Sequence, residues 1–246
     1  MTQKEALDIL KLGHNVYLTG SAGSGKTFLL NLYIEHLKKN QVGVGITAST
    51  GIAATHMRGV TIHSWSGMGI RDHLTKQDLQ KLITTRRLAV RFERAKVLII
   101  DEVSMLHPYQ LDLVDKICKT FKHNDLPFGG IQVVLCGDFF QLPPVSNSNR
   151  EISFVDKSDI WQNMNLKVCY LHEQHRHEGD ELTQVLNDIR SGNVDEDTLE
   201  PLRKRYKKST AGLANPTKLY THNKGVDFIN NKELKSLTGE TRSYYM

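Results

Sequence analysis

The order of apolar and polar positions along the chain alternates between a helical period and short continuous apolar runs. Residues 2–12 place Ala6, Leu7 and Leu10 on one face at helical spacing, with Ile9 beside them, and Gly13 and Asn15 end the pattern; this predicts an opening helix. Val16-Tyr17-Leu18-Thr19 is a β-favouring run ending in a glycine-rich turn. The helical period resumes from Lys26 to Lys39 through Phe28, Leu29, Leu32, Ile34 and Leu37. Further apolar runs at Val42–Ala48, Val97–Ile100 and Ile131–Cys136 read as buried strands. Pro108 opens an amphipathic run to Phe121 through Leu111, Val114, Ile117 and Cys118, as proline does where its missing N–H has no helical partner to lose. Strands separated by helical segments predict an α/β fold, a parallel sheet with helices on both faces.

Beyond Pro143-Pro144 the texture changes to a polar loop, and after Tyr170-Leu171 comes a charged stretch with three histidines. Two helical segments (181–190 and 195–207), a strand-like Lys218-Leu219-Tyr220-Thr221 and a helix over 224–237 follow. One strand cannot cover three helices. The expectation is a first domain over 1–172, with a small insertion around 64–95, and an incomplete second domain over 173–246.

Composition sharpens this picture only slightly. Of 246 residues, 39% are hydrophobic and 24% charged, enough apolar surface for a proper core, which argues against disorder. No apolar run approaches a bilayer span, and the start lacks a signal-peptide pattern, so an intracellular protein with no membrane partner is expected. Cys118, Cys136 and Cys169 are odd in number and widely spaced in apolar contexts, which predicts buried thiols rather than a disulfide scaffold. A net charge of +5 leans modestly toward polyanions.

The chemistry lies at the strand ends. Gly20-Ser21-Ala22-Gly23-Ser24-Gly25-Lys26-Thr27 fits G-x-x-x-x-G-K-[ST] between a strand and a helix. Successive backbone N–H groups of such a loop curl around phosphate oxygens, Lys26 reaches the β and γ phosphates, and the Thr27 hydroxyl is offered to Mg²⁺. A nucleoside triphosphate, with ATP as substrate, is the implied ligand. The strand at Val97–Ile100 delivers Asp101 and Glu102: Asp101 to hold Mg²⁺ by way of water, Glu102 to polarise an attacking water. A glutamate beside the metal aspartate favours hydrolysis over kinase chemistry. The next strand runs through Gly137 to Gln141, whose amide both donates and accepts and so suits a sensor of the γ phosphate. A metal site at His172, Glu173, His175 and His177 matches no usual zinc spacing.

These stretches occur in order with Thr2-Gln3-Lys4-Glu5-Ala6, Ala48-Ser49-Thr50-Gly51-Ile52-Ala53-Ala54, Thr61-Ile62-His63-Ser64-Trp65, Pro127-Phe128-Gly129-Gly130-Ile131-Gln132 and Gly137-Asp138-Phe139-Phe140-Gln141-Leu142-Pro143-Pro144. Together they resemble the Pif-type (petite integration frequency) DNA helicases of superfamily one, relatives of RecD. The resemblance implies a RecA-like P-loop domain plus a partial second RecA-like domain, ATP clamped between them, and 5′-to-3′ movement on single-stranded DNA, with duplex junctions as further partners. It implies that Gln3 reads the adenine, that Thr50, His63, Ser64, Trp65 and Asn223 contact DNA, and that Arg176 reaches the γ phosphate. It also implies roles in DNA repair, recombination or telomere maintenance, at the nucleoid in a bacterium, or in nucleus or mitochondrion in a eukaryote. Departures are Trp65 where phenylalanine is common, and His175 and His177 around Arg176 where an aromatic and a glutamine are usual. The family's later motifs are not found, which leads to an expectation of a shortened chain that binds nucleotide, hydrolyses it feebly and does not unwind. The alternative is a nucleotide-gated single-stranded-DNA binding module without motor activity.

Overall fold

The computed structural model describes residues 1–145, 152–173, 181–209, 217–220, 223–237, 239 and 242. They fall into two compact units, Met1–Asn193 and Val194–Met246. The first holds α1 (Gln3–Lys11), β1 (Val16–Gly20), α2 (Lys26–Lys39), β2 (Val44–Ala48), α3 (Gly51–His56), β3 (Val60–Thr61), α4 (Ile62–Ser66), α5 (Lys76–Ile83), α6 (Arg86–Arg94), β4 (Val97–Asp101), α7 (Pro108–Lys122), β5 (Gln132–Cys136), α8 (Asp159–Asn163), β6 (Lys167–Leu171) and α9 (Glu181–Ser191). The sheet is wholly parallel, in the order β3-β2-β4-β5-β1-β6.

Alternation along each central strand builds two cores, one on each face. Tyr17, Leu98, Ile100, Val133 and Leu135 point to one side, where Trp65, Phe92, Leu111, Val114 and Ile117 cover them. Val16, Leu18, Ile99, Val134 and Cys136 point to the other, against Ala6, Leu10, Leu29, Leu30 and Tyr33 of α1 and α2. The period of two thus sends neighbouring residues of one strand into different cores, and the apolar runs of β1, β4 and β5 read as continuous because both faces are covered. All three cysteines are free and buried. Residues 67–95 add α5 and α6, and Leu74, Leu88 and Phe92 from this stretch join the first core.

β3 and β6 carry no strong sequence signal, because both lie at the edges. In β6, Cys169 and Leu171 are buried while Val168 and Tyr170 are exposed, yet five residues pair in register with β1. The amino terminus is fastened to this strand: the Met1 ammonium donates to the Tyr170 carbonyl at 2.8 Å. Thr2 and Glu5 then form a capping box that starts α1.

The expected boundary near residue 172 follows β6, and α9 groups with the first unit. The second unit contains α10 (Glu196–Arg205) and α11 (Asn223–Ser236). Asp195 caps α10, its side chain accepting from the Thr198 N–H at 2.9 Å. The basic end of that helix is tied to its acidic start by Arg203–Glu196 and by Lys204–Glu200 at 3.0 Å, a solvated face complementing the helix dipole. Lys218–Tyr220 form no strand, since no partner strand stands in this unit among the described residues; Thr221 lies outside them.

Candidate active site

Because every strand is parallel, the carboxyl ends of β1, β5, β4 and β2 open on the same edge of the sheet, in that order. The phosphate loop follows β1, the Gly137–Gln141 turn follows β5, Asp101 and Glu102 end β4, and Thr50 follows β2. Strand order, not sequence proximity, therefore assembles the site. Lys26, Glu102 and Gln141 line one hollow of about 380 Å³ with Ala22, Gly23, Gly25, Thr27 and Phe28. A second hollow of about 740 Å³ shares Thr27, Glu102 and Gln141 and extends to Asp101, Thr50, Ile52, His56 and Leu142.

The loop begins at Gly20 with φ +149°, where a Cβ would stand 2.7 Å from both the Leu171 carbonyl oxygen and Ser24 Oγ, so no larger residue fits the turn. Lys26 Nζ donates to the carbonyls of Gly20 at 2.8 Å and Ser21 at 3.0 Å. The lysine thus lies along the cradle, bonded to neutral acceptors that phosphate oxygens would replace with charge-assisted ones. Gln3 Nε2 donates to the Ser24 carbonyl at 3.4 Å, which brings the start of α1 onto the loop.

At the end of β4, Asp101 is buried and accepts the Glu102 N–H on Oδ1 at 2.9 Å. Glu102 itself occupies the left-handed region, φ 52° and ψ 42°, a conformation that costs a non-glycine residue energy and turns its side chain out of the strand line. Burial, then the adjacent Asp101 charge, pushes the Glu102 carboxyl above its ordinary value, against the opposing pull of Lys26. A carboxylate with raised basicity beside the cradle is the environment a water-activating base needs. Thr27 and Asp101 offer oxygen ligands to the same hollow, a donor set that fits Mg²⁺.

Gln141 does not stand alone. Its Nε2 donates to Asp138 Oδ2 at 3.0 Å, its backbone N–H donates to the Asp138 carbonyl at 2.9 Å, and the Phe140 N–H reaches Asp138 Oδ1 at 3.2 Å. Arg190 of α9 donates to the same Oδ2 at 2.7 Å and lies 4.5 Å above the Phe140 ring. Burial opposes ionisation of Asp138, but the hydrogen bonds from Arg190, Gln141 and Phe140 together outweigh it and hold the carboxyl below its usual range. The hydrogen bond to Asp138 in turn raises Arg190. Sequence reading places Asp138 in a motif but gives no sign of its pairing with Arg190, since 52 positions separate them.

The expected DNA-contact residues divide. Thr50 caps α3, its hydroxyl accepting from the Ala53 N–H at 3.3 Å, and lines the second hollow. His63 accepts from Gln110 Nε2 at 3.0 Å in the tautomer protonated on Nδ1, and burial lowers its pKa, favouring the neutral ring. Ser64 is exposed, and Arg91 donates to its carbonyl at 3.0 Å and to that of Trp65, closing the end of α4. Trp65 is 4% exposed and edge-on to Phe92 with 4.8 Å between centroids. The indole lies over Gly45, where a Cβ would approach to 2.7 Å, so the ring is core and offers no free stacking face. Arg176 and the side chain of Asn223 lie outside the described residues. Among those described, no cluster of three or more His, Cys, Asp or Glu is arranged to hold a metal, and no helix is long and apolar enough to cross a membrane.

The fold and this loop define a RecA-like P-loop nucleotide-binding protein. A family model described as PIF1-like helicase matches residues 2–200, and the chain belongs to that family. It is 51% identical over 255 residues to the ATP-dependent DNA helicase Pif1 of Psychrobacter sp. (strain PRwf-1), covering 99% of this chain and 38% of that protein. Against the ATP-dependent DNA helicase PIF1 of Saccharomyces cerevisiae (strain YJM789) identity is 38% over 248 residues, covering 98% of this chain and 29% of that one. The crystal structure of Pif1 helicase from Candida albicans superposes with a TM-score of 0.84 at 35% identity, over 97% of this chain and 54% of that one. Pif1 helicase from Bacteroides in complex with ADP-AlF3 and ssDNA gives a TM-score of 0.81 at 29% identity, over 97% and 57%. The chain thus spans well under two thirds of the length of these relatives.

Proposed function

We propose that the chain binds ATP in the hollow at the strand ends, hydrolyses it, and couples that hydrolysis to 5′-to-3′ movement on single-stranded DNA, as part of a DNA helicase. The observation that carries this reading is that Lys26, Glu102 and Gln141, from three different segments, line one hollow beside the phosphate loop. Loop N–H groups and Lys26 hold the triphosphate, and Gln3 reads the base. Glu102 takes a proton from the attacking water, and Gln141 orients that water and registers the loss of the terminal phosphate. Thr27 and Asp101 would hold a magnesium ion, which when bound neutralises phosphate charge. Arg176 supplies a further cation toward the γ phosphate. In the first unit DNA runs past Thr50, His63 and Ser64, and Asn223 is a further DNA contact of the second; duplex junctions are the natural substrate of such a motor.

Support comes from the named relatives, which are ATP-dependent DNA helicases, and from the relative solved with ADP-AlF3 and ssDNA. ATP turnover of the full gene product with and without oligo-dT tests the reading. Strong stimulation, abolished by Lys26→Ala, is expected; nucleotide and DNA binding with no stimulated turnover would mark a gated binding module instead.

A further inference from the structure

We propose that Arg190 is a positioning residue for Gln141, acting through the carboxylate of Asp138 that both side chains share. This rests on the reading of Gln141 given above. The Asp138 carboxylate is 1% exposed, and its Oδ2 receives two donors, Arg190 Nη1 at 2.7 Å and Gln141 Nε2 at 3.0 Å. An amide donating into a carboxylate is held with its nitrogen inward, which presents the carbonyl oxygen of Gln141 away from Asp138 as an acceptor. The orientation of the glutamine is therefore set by where Asp138 points. That carboxylate is in turn fixed from outside the turn by a guanidinium which a ring also supports, 4.5 Å from the Phe140 centroid.

Arg190 reaches no part of the cradle by itself: Glu102, Lys26 and Gln141 line the nucleotide hollow and Arg190 does not. Its influence on the reaction passes through one shared acceptor. Arg190 also sits near the end of α9, which closes at Ser191, while the second compact unit begins at Val194. The residue that orients the water-holding glutamine thus belongs to the last helix of the first unit. A change in α9 that withdrew Arg190 would free Asp138 to turn, and the Gln141 amide with it, without touching the phosphate loop.

The test is a double-mutant cycle on the oligo-dT-stimulated ATPase of the full gene product, with Arg190→Gln, Gln141→Ala and the pair together. Arg190→Gln is expected to lower kcat on the order of 10- to 100-fold, as a misoriented reacting group does, with little change in KM for ATP. In the Gln141→Ala background the same substitution should cost nothing further. Arg190→Lys, which keeps a donor and the charge, should recover most of the rate and guards against simple unfolding of the glutamine variant. Independent, multiplying losses in the double variant, a rise in KM at unchanged kcat, or a wild-type rate in Arg190→Gln would each overturn the positioning role while leaving Gln141 in place. A wild-type kcat in Gln141→Ala alone would overturn the reading of the site itself, and this inference with it.

Discussion

The backbone N–H of Glu102 donates to Oδ1 of the residue before it, Asp101, at 2.9 Å, while Glu102 sits in the left-handed region. The two carboxylates are therefore turned apart at the point where the strand ends. One stays buried at the sheet edge, and the other stands half-buried over the phosphate cradle. Two acids in sequence receive two environments from one backbone kink, the difference on which the proposed division into metal ligand and base rests.

The base must be ionised to accept a proton. Since burial and Asp101 raise the Glu102 carboxyl above its ordinary 4.5, the acid side of the kcat profile should fall at a pH above that value. A profile of stimulated turnover against pH measures this, and an acid limb at or below 4.5 would remove Glu102 from the role.

The same shift has a consequence for stability. A group whose pKa is raised on folding contributes stability below its unfolded pKa and loses it as pH rises through the folded one. At neutral pH the ionised Glu102 therefore weighs against the fold. Glu102→Gln should raise the melting temperature at pH 7 while abolishing turnover, with the gain vanishing in acid. A lower melting temperature at pH 7 would count against this account of the site's electrostatics.

Asp138 behaves in the opposite sense. Its pKa is lowered on folding, so its contribution is present above the usual carboxylate value and is lost as pH falls through the depressed one. Asp138→Asn leaves Arg190 facing a neutral amide, and removal of one partner of a buried pair costs about 3–5 kcal/mol. Denaturant unfolding at pH 7 should show a loss of that order, shrinking in strong acid. A neutral effect at pH 7 would mean that Arg190 and Asp138 do not pair as described.

Trp65 separates packing from DNA contact. Truncation of a buried aromatic costs about 3–5 kcal/mol, so Trp65→Ala should lower the unfolding midpoint sharply, and Trp65→Phe much less. Single-stranded-DNA affinity of the folded Trp65→Phe protein should match the parent. A folded, fully stable Trp65→Ala protein with weakened DNA binding would restore the stacking role.

Much of this candidate site is legible in the sequence because each proposed group follows a strongly apolar strand, at its end, in the turn after it or just past a glycine loop, and the parallel topology then leaves little freedom in where they meet. Lys26, Asp101, Glu102 and Gln141 are of this kind. Edge strands β3 and β6 were not legible, since β3 is only two residues long and β6 alternates exposed with buried positions and so has no continuous apolar run. Trp65 followed sequence context toward DNA, whereas Gly45, a residue of another strand, makes room for it in the core. The pairing of Asp138 with Arg190 escaped for the same reason: it is a contact between distant segments, which periodicity and motif spacing do not encode.

Single-turnover cleavage of pre-bound ATP tests the central claim most directly, because it separates chemistry from binding and release. With oligo-dT present, Glu102→Gln and Gln141→Ala should bind ATP as the parent does yet cleave it on the order of 100-fold more slowly or worse. Cleavage at the parent rate in Glu102→Gln, or a defect explained wholly by weaker ATP binding, would contradict it.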